Sequence, residues 1–149
     1  MSKKLLTLLS ITTMLAVMLT ACGGGAKGSI PENAALKITG NVDKEIGWTE
    51  EEVRAMESMD VESTNKDGET STYTGVPIKD LLDKAGVKAD ATTIVFVADD
   101  DYTAEATLAE VQGCADCIVS FRNKGGFSIV MPGFSSKLQV KGVVEIQVK

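Results

Sequence analysis

The sequence predicts an α+β domain in which a mixed β-sheet carries a few short helices. Short stretches rich in β-branched residues, bounded by glycine, proline and asparagine, are typical of strands. Two Thr-x-x-Glu boxes, at Thr49 and Thr107, mark the starts of brief helices. The stretch from Tyr73 to Gly86 adds a strand end, a tight turn and one amphipathic helix.

Residues 1–21 have the pattern of a lipoprotein signal peptide. Lys3 and Lys4 precede an apolar run that is too short for a stable transmembrane helix. The sequence Leu-Thr-Ala-Cys that ends at Cys22 resembles a bacterial lipobox, which implies cleavage before Cys22 and lipidation, such as palmitate on its thiol. More than one acyl chain anchors a protein stably. We therefore expect an extracytoplasmic protein anchored to the bacterial cell membrane through Cys22; the alternative is an ordinary secretory signal in which this cysteine is incidental.

Residues 22–35 are expected to form a flexible tether, because the run G-G-G-A-K-G-S and the following Pro31 show no apolar periodicity. Residues 36–149 remain as one domain, long enough to bury a single core. Removal of the signal peptide, with its two lysines, changes the formal net charge from −6 to −8. An acidic domain without a basic stripe argues against nucleic acid as a partner. The lipid anchor is then the expected membrane contact.

The domain is predicted to open with a strand, a capped helix and a hairpin. Apolar and polar residues alternate over residues 36–42 as in a half-buried strand. Thr49 and Glu52 form a capping box, and we expect the helix that follows to end near Met59. Residues 61–64 and 71–74 flank the turn sequence N-K-D-G, which predicts two paired strands.

The central helix is marked at both ends. Pro77 falls at the predicted first helical position, and Gly86 stands just past the end. Asp80 and Lys84 are spaced for a helical ion pair. The residues spaced to form one apolar face are Ile78, Leu81, Leu82 and Ala85.

The last third of the chain is predicted to contribute mainly strands. Residues 93–98 form an uninterrupted apolar run, which suggests a strand in the middle of the sheet. Residues 102–106 alternate as its hairpin partner, and Thr107 with Glu110 predicts a brief helix. The remaining predicted strands are residues 117–121, 127–131 and 143–148.

Four motifs occur in the order typical of one family. They are L-K-I-T-G-N-V from Leu36, W-T-E-E-E-V from Trp48, Y-T-G-V-P-I-K-D-L-L-D-K-A-G from Tyr73, and V-K-G-V-V-E-I from Val140. Between about Leu36 and Val148 the chain resembles the oxidoreductase molybdopterin-binding domain, which has the sulfite oxidase-like fold. The resemblance implies a mixed α+β domain that, in its catalytic members, holds a molybdenum–pterin cofactor.

The residues that the family uses for this cofactor are not matched here. The resemblance implies a metal-binding cysteine at about the position of Ser63 or Thr64, and neither supplies a thiolate. It also implies arginines and a histidine for the pterin phosphate, whereas the domain has only Arg54 and Arg122 and the chain has no histidine. We therefore expect no cofactor and no metal ligand, with bound molybdopterin as the alternative.

The absence of histidine also removes the usual general base and the Ser-His and Cys-His pairs, so we predict no catalytic residue. Cys114 and Cys117 form a C-x-x-C pair in a domain where oxidation is permitted. Redox-active pairs draw a low thiol pKa from a helix N-terminus, but Gly113 precedes this pair and Cys117 enters a strand. A structural disulfide or two unreactive thiols is the favoured interpretation.

The run Asp99-Asp100-Asp101 lacks the alternate spacing of a calcium loop and is interpreted as a solvated turn. The family usually has glycine where Asp101 stands. A small cleft is predicted instead at the former cofactor mouth, where aromatic side chains are interpreted equally well as core. The candidate cleft residues are Ser63, Thr64, Tyr73, Tyr102, Asp100 and Asp101, with Trp48 and Phe134 beside them.

Two functions from different classes follow. The first is an accessory module that binds a small ligand or a membrane-associated protein through this cleft. The second is an oxidoreductase component that binds a molybdopterin or transfers electrons through Cys114 and Cys117. The missing thiolate position favours the first.

Overall fold

The structure is a computed structural model that describes residues 30–149. The predicted signal peptide and Cys22 lie outside the described residues. No helix of the described part is long and apolar enough to cross a membrane. The elements in chain order are β1 (Leu36–Gly40), β2 (Ile46–Trp48), α1 (Glu50–Arg54), β3 (Met59–Thr64), β4 (Thr70–Pro77), α2 (Ile78–Ala85), β5 (Thr93–Ala98), β6 (Thr103–Thr107), α3 (Leu108–Gln112), β7 (Ile118–Phe121), β8 (Phe127–Val130), a 3₁₀ turn (Ser136–Leu138) and β9 (Lys141–Val148).

All the strands belong to one mixed sheet, and β9 is its hub. This strand pairs in parallel with β1 and antiparallel with β5 and β8. From β8 the sheet continues through β7 and β4 to β3, while β2 extends it beyond β1 and β6 pairs with β5. Residues 93–98 were predicted to be the middle of the sheet. They form β5, which has a neighbour on each side, but the centre is β9, whose apolar residues alternate less regularly.

The central helix α2 buries the predicted apolar face. Ile78, Leu81 and Leu82 are 0% exposed, because they pack into the main core below the sheet. The helix begins one residue later than predicted: Pro77 is the last residue of β4 and the N-cap, with an extended ψ of 130°. Gly86 ends the helix with a φ of 70°, a left-handed conformation that glycine adopts without strain.

The ion pair on α2 is also different from the predicted one. Lys79 donates to Asp83 at 2.7 Å, whereas no ion pair joins Asp80 and Lys84 among the described residues. Both pairs have the same spacing, so the rotamers chosen on the exposed face decide between them. The Asp83 carboxylate raises the pKa of Lys79 through this hydrogen bond and its charge.

Helix α1 is capped as predicted but is shorter. The Thr49 side chain accepts from the Glu52 N–H at 3.3 Å, and Glu52 accepts from the Thr49 N–H at 2.8 Å. The helix ends at Arg54 rather than near Met59, because Met59 already begins the edge strand β3. Tertiary pairing thus overrides the helical tendency of the residues between.

The packed part of the chain begins before the predicted boundary at Leu36. The Ala34 N–H donates to Pro31 O and the Ala35 N–H to Trp48 O, which holds this segment against β2. The side chain of Ile30 covers Gly47 so closely that a Cβ there would lie 2.9 Å from it. Residues 30–35 are therefore part of the domain and not of a flexible tether.

The sheet has a main core on one face and a smaller cluster on the other. The main core joins α2 and α3 to the inward residues of most strands. The smaller cluster consists of Val61, Ile118 and Val130, with Met59 beside them. The largest fully buried side chains are Phe96, Phe127, Leu36, Ile38, Ile78, Leu81, Leu82, Ile94, Ile118, Ile129, Met131 and Ile146.

Candidate functional site

A cleft lies at the end of the β3–β4 hairpin and includes some of the residues predicted for a cleft; we call it the Ser63 cleft. It has a volume of about 550 Å³. The hairpin contributes Ser63 and Thr64 from β3 and Tyr73 from β4, and the connection between β8 and β9 closes the other side. The lining residues are Ser63, Thr64, Asn65, Lys66, Tyr73, Phe134, Ser136, Gln139 and Lys141.

Local hydrogen bonds hold both walls of this cleft. The Asn65 side-chain oxygen accepts from the Asp67 and Glu69 N–H groups at 2.9 and 3.0 Å, which fixes the hairpin turn. On the opposite wall the Gln139 amide donates to Met131 O at 2.9 Å and accepts from the Met131 N–H at 3.3 Å. Hydrogen bonds within each of the two loops that form the cleft therefore hold its walls in place.

Half of the residues predicted for the cleft lie outside it. Ser63, Thr64 and Tyr73 line the cleft together with Phe134. Tyr102 does not: its hydroxyl donates to Lys137 O at 3.0 Å and its side chain is 46% exposed. The placement of Tyr102 in the cleft was wrong, because the β5–β6 turn packs against the outer side of the 3₁₀ turn.

Asp100 and Asp101 also lie away from the cleft, in the exposed β5–β6 turn. Asp100 accepts from the Tyr102 N–H at 3.1 Å, so its carboxylate stabilises the turn. Asp101 has a φ of 65°, which explains why the resemblance implies glycine there. The suggested place of Trp48 beside the cleft was wrong as well, since it is 8% exposed in the main core.

Cys114 and Cys117 are joined in a disulfide with a Cα–Cα distance of 5.5 Å. The bridge connects the segment after α3 to the start of β7, and Cys117 is fully buried. The carbonyl of Cys117 accepts from the Ile78 N–H at 2.9 Å, which ties this turn to the first residue of α2. Both sulfurs thus sit beside α3's C-terminal end, where the dipole does not stabilise a thiolate.

The Ser63 cleft does not fit the metal end of a molybdenum–pterin cofactor. At about the position where the resemblance implies a thiolate the cleft has Ser63 and Thr64, and hydroxyls are poor ligands for a thiolate-preferring metal. Cysteines 114 and 117 are bonded to each other. Within residues 30–149 no three Cys, Asp or Glu side chains are grouped so as to hold a metal ion.

Two cations in the Ser63 cleft were missed by the sequence analysis. Lys66 lies in the hairpin turn and Lys141 at the first residue of β9, far apart in sequence. No carboxylate lines the cleft beside them. Lys141 is brought there because β9 pairs with β8 at Ser128, a long-range register that no local motif encodes.

A second cleft, which we call the arginine cleft, opens where the sheet forks. The ladder between β4 and β7 ends at the pair Gly75 and Ser120, so the β3–β4 and β7–β8 hairpins separate beyond it. The space between them has a volume of about 780 Å³. Its lining residues are Glu50, Arg54, Thr72, Tyr73, Thr74, Ser120, Phe121, Arg122, Asn123, Gly125 and Ser128.

Arg54 is held in this cleft by three partners. Its guanidinium bonds Glu50 Oε1 at 2.9 Å, donates to Arg122 O at 2.9 Å and lies 5.1 Å from the centre of the Phe121 ring. A backbone hydrogen bond from Gly126, followed by the Arg54 guanidinium, lowers the pKa of Glu50. Glu50 is therefore ionised at neutral pH and neutralises Arg54.

The fold and the clefts define a class of protein, a mixed-sheet α+β domain with ligand-sized clefts on the sheet. The family model of the oxidoreductase molybdopterin binding domain matches residues 26–149. The chain belongs to this family.

The solved structures give the same fold. The sulfane dehydrogenase SoxCD from Paracoccus pantotrophus superposes with a TM-score of 0.63 at 19% sequence identity. The match covers 76% of this chain and 37% of that chain, so this chain corresponds to well under half of the dehydrogenase chain. A search of curated proteins found no match.

Proposed function

We propose that the chain is an extracytoplasmic lipoprotein whose molybdopterin-binding-type domain serves as an accessory module that binds a small ligand or a partner protein. The observation that carries this proposal is the composition of the Ser63 cleft. The resemblance places the family's metal-binding thiolate at about Ser63 or Thr64, which are hydroxyl residues here, and the cleft is otherwise lined by hydroxyls, amides, aromatic rings and two lysines. These groups suit binding through hydrogen bonds and charge, and none of them is a soft metal ligand.

The lining indicates the chemistry of a ligand for this cleft. Lys66 and Lys141 supply positive charge, the lining within residues 30–149 contains no carboxylate, and the nearby Glu69 carboxylate is bonded to Asn65, so an anionic group is favoured over a cation. Tyr73 and Phe134 supply ring surfaces, and a flat or apolar part of the ligand would pack on them. The ligand class is therefore a small anion with a ring or apolar portion.

The membrane location rests on the lipobox at Cys22. Lipidation there would place the anchor eight residues before Ile30, the first residue that the structure describes. Eight residues span at most about 29 Å even when fully extended. The domain would then stay close to the membrane surface, where partners are membrane-associated proteins or ligands that pass the cell envelope.

The second candidate function is an oxidoreductase component. Membership of the molybdopterin-binding family and the Cys114–Cys117 disulfide favour it. In this function the chain would bind the cofactor through other groups or pass electron pairs through the disulfide. The buried Cys117 sulfur argues for slow exchange with external thiols.

Metal and thiol analysis separates the two candidates. The full-length protein would be expressed in a host that makes molybdenum cofactor, purified in a mild detergent, and analysed for molybdenum and pterin. We expect well below one molybdenum per chain, and a disulfide that is reduced slowly near neutral pH. Stoichiometric molybdenum, or rapid and reversible cycling of Cys114 and Cys117, would contradict the accessory function.

Ligand capture tests the Ser63 cleft itself. Protein purified from its membranes would be studied by native mass spectrometry as wild type, as Lys66→Ala with Lys141→Ala, and as Lys88→Ala. Lys88 is an exposed lysine outside the cleft and serves as the matched control. We expect an added mass on wild type and Lys88→Ala that the double variant loses; equal retention by all three would exclude the cleft as the binding site.

A further inference from the structure

The arginine cleft is separate from the Ser63 cleft and shares only Tyr73 with it. It lies in the fork of the sheet, where residues 72–74 of β4 pair with β3 on one side and have no strand partner on the other within residues 30–149. Main-chain groups along an unpaired strand edge are available to hydrogen-bond a ligand. The fork thus offers backbone donors in addition to its side chains.

The charge of this cleft is opposite to that of the whole domain. Its lining contains two guanidinium groups and one carboxylate, whereas the chain carries a formal net charge of −6. Glu50 is already bonded to Arg54 at 2.9 Å. Arg122 forms no ion pair with any residue of the described part. The positive charge left over in the cleft is therefore that of Arg122.

The remaining lining is polar and contains several hydroxyls. Thr72 and Thr74 contribute from β4, and Ser120 and Ser128 from β7 and β8. Ser120 is only 2% exposed, so of these four residues it offers the least accessible hydroxyl. Hydroxyls both donate and accept, so they suit the uncharged polar part of a ligand.

We propose that the arginine cleft binds a small molecule that carries a carboxylate or phosphate group. The planar guanidinium of Arg122 holds the charged oxygens in a bidentate contact. The hydroxyls of Thr72 and Ser128 contact the uncharged part of the molecule, whereas the Thr74 hydroxyl already donates to the Asp60 carboxylate. Arg54 forms part of the cleft wall and is not the proposed anion contact. Its N–H groups already bond Glu50 and the Arg122 carbonyl, and its guanidinium lies over the Phe121 ring.

The test uses inorganic phosphate and acetate as separate probes of the full-length protein in nonionic detergent. Each anion would be titrated against the isotope-labelled protein at constant chloride, and backbone amide shifts would be followed by nuclear magnetic resonance. We expect saturable shifts at residues 72–74 and 120–126. The larger response among the two probes identifies phosphate or carboxylate as the charged group.

Two variants assign the binding to the cleft. Arg122→Ala removes the proposed anion contact and should weaken probe binding about tenfold or more, as expected for a charge-assisted hydrogen bond. Lys124→Ala removes the same charge two residues away, outside the arginine cleft, and should leave the dissociation constant within about twofold. Thermal unfolding of both variants checks that each remains folded.

The outcomes are decisive in both directions. Loss of binding in Arg122→Ala with retention in Lys124→Ala supports the proposal. The absence of saturable shifts in the fork, or equal weakening by both substitutions, overturns it. Lys66→Ala, at a residue of the hairpin turn that lines the Ser63 cleft and not the arginine cleft, should leave these shifts unchanged, so failure of one site is distinguishable from failure of the other.

Discussion

Asp101 has a backbone conformation that glycine, the residue implied here by the family resemblance, adopts more readily. It is the non-glycine residue with a positive φ, 65°, among residues 30–149, and it stands in the turn between β5 and β6. Aspartate tolerates this left-handed conformation better than most residues, although glycine adopts it without cost. The turn is retained because the Asp100 carboxylate accepts from the Tyr102 N–H beside it.

Two substitutions of Asp101 both remove its charge and differ in the backbone strain at this position. Asp101→Gly should leave the free energy of unfolding within about 1 kcal/mol of wild type, because relief of strain offsets the greater entropy of the unfolded chain. Asp101→Val should lower it by roughly 1–3 kcal/mol, since a β-branched residue is strained at this φ. Urea unfolding measures both changes. A valine variant as stable as the glycine variant would show that this turn takes another conformation.

Glu145 is the half-buried carboxylate of β9 and its pKa depends on opposing effects. Burial raises the pKa, but the Thr39 hydroxyl at 2.7 Å and the Lys37 ammonium at 3.0 Å lower it by more, so the net pKa lies below its ordinary value. A carboxyl with a lowered folded-state pKa stabilises the fold above its unfolded pKa. This stabilisation is lost as the pH falls through the folded pKa.

The pH dependence of stability should therefore change on substitution of Glu145. Glu145→Gln should lower the free energy of unfolding by about 1 kcal/mol at pH 7 and by less at pH 3, below the ordinary glutamate pKa of roughly 4.3. Urea titrations at the two pH values measure this. Glu57→Gln, at an exposed position that forms no ion pair with any of residues 30–149, is the control. A deficit of the same size at both pH values would contradict the role given to the Lys37 and Thr39 contacts.

At the scale of elements, α2 is the helix on which the core depends. The other helices have five residues each and are stabilised mainly by their caps and neighbours, whereas α2 has eight residues and buries four side chains. Its start is fixed by β4 and its end by Gly86, where a Cβ would lie 2.8 Å from an Asp43 carboxylate oxygen. Packing against the core and the close approach of Asp43 to Gly86 determine the length of α2 more than the helix propensity of its residues does.

Truncation in α2 should distinguish its two faces. Leu82→Ala removes a fully buried side chain and should cost roughly 2–5 kcal/mol, a large part of the stability of a domain of this size. Lys79→Ala removes only the exposed pair with Asp83 and should leave the free energy of unfolding close to that of wild type. Thermal or urea unfolding measures both. Equal costs would mean that this helix does not pack as described.

At the scale of the whole molecule, the proposed anchor decides where the domain acts. Ile30, the first residue that the structure describes, follows Cys22 by eight residues, and neither cleft is lined by any of residues 30–35. An anchored domain would keep both clefts accessible while remaining at the membrane. The clefts and the anchor are therefore independent features that can be tested separately.

Substitution of Cys22 tests the anchor. Cys22→Ser removes the thiol that lipidation requires and should release the protein from the membrane fraction or leave an uncleaved precursor. Membrane fractionation and intact mass analysis of wild type and variant measure this. Cys114→Ser with Cys117→Ser is the control, because it removes the other cysteines and should leave fractionation unchanged. A Cys22→Ser protein that fractionates and migrates like wild type would exclude lipidation.

Local signals in the sequence determined most of the elements. The capping box at Thr49, the N-cap at Thr107, the N-K-D-G turn and the i, i+3, i+4 spacing in α2 are each formed by residues close together in the chain; at Thr107 the side chain accepts from the Glu110 N–H, but the return bond of a full capping box is not formed within the described residues. These predictions are confirmed because capping, turn formation and amphipathic packing depend on neighbours in the chain. The ordered motifs also predicted the family, which the match to residues 26–149 confirms.

Only the tertiary structure decided what depends on long-range register. Pairing between distant segments gives β9 its three partner strands, adds the short strand β2 and opens the fork beyond Gly75 and Ser120. The competing registers of such pairings differ little in local energy. The same pairings bring Lys141 to Ser63 and Arg122 to the β3–β4 hairpin, and they carry Tyr102 and Asp101 away. The sequence by itself thus determined the elements and the absence of a cysteine at Ser63 and Thr64. Strand pairing decided which residues line the two clefts, because a cleft brings together side chains that are close in space and distant along the chain.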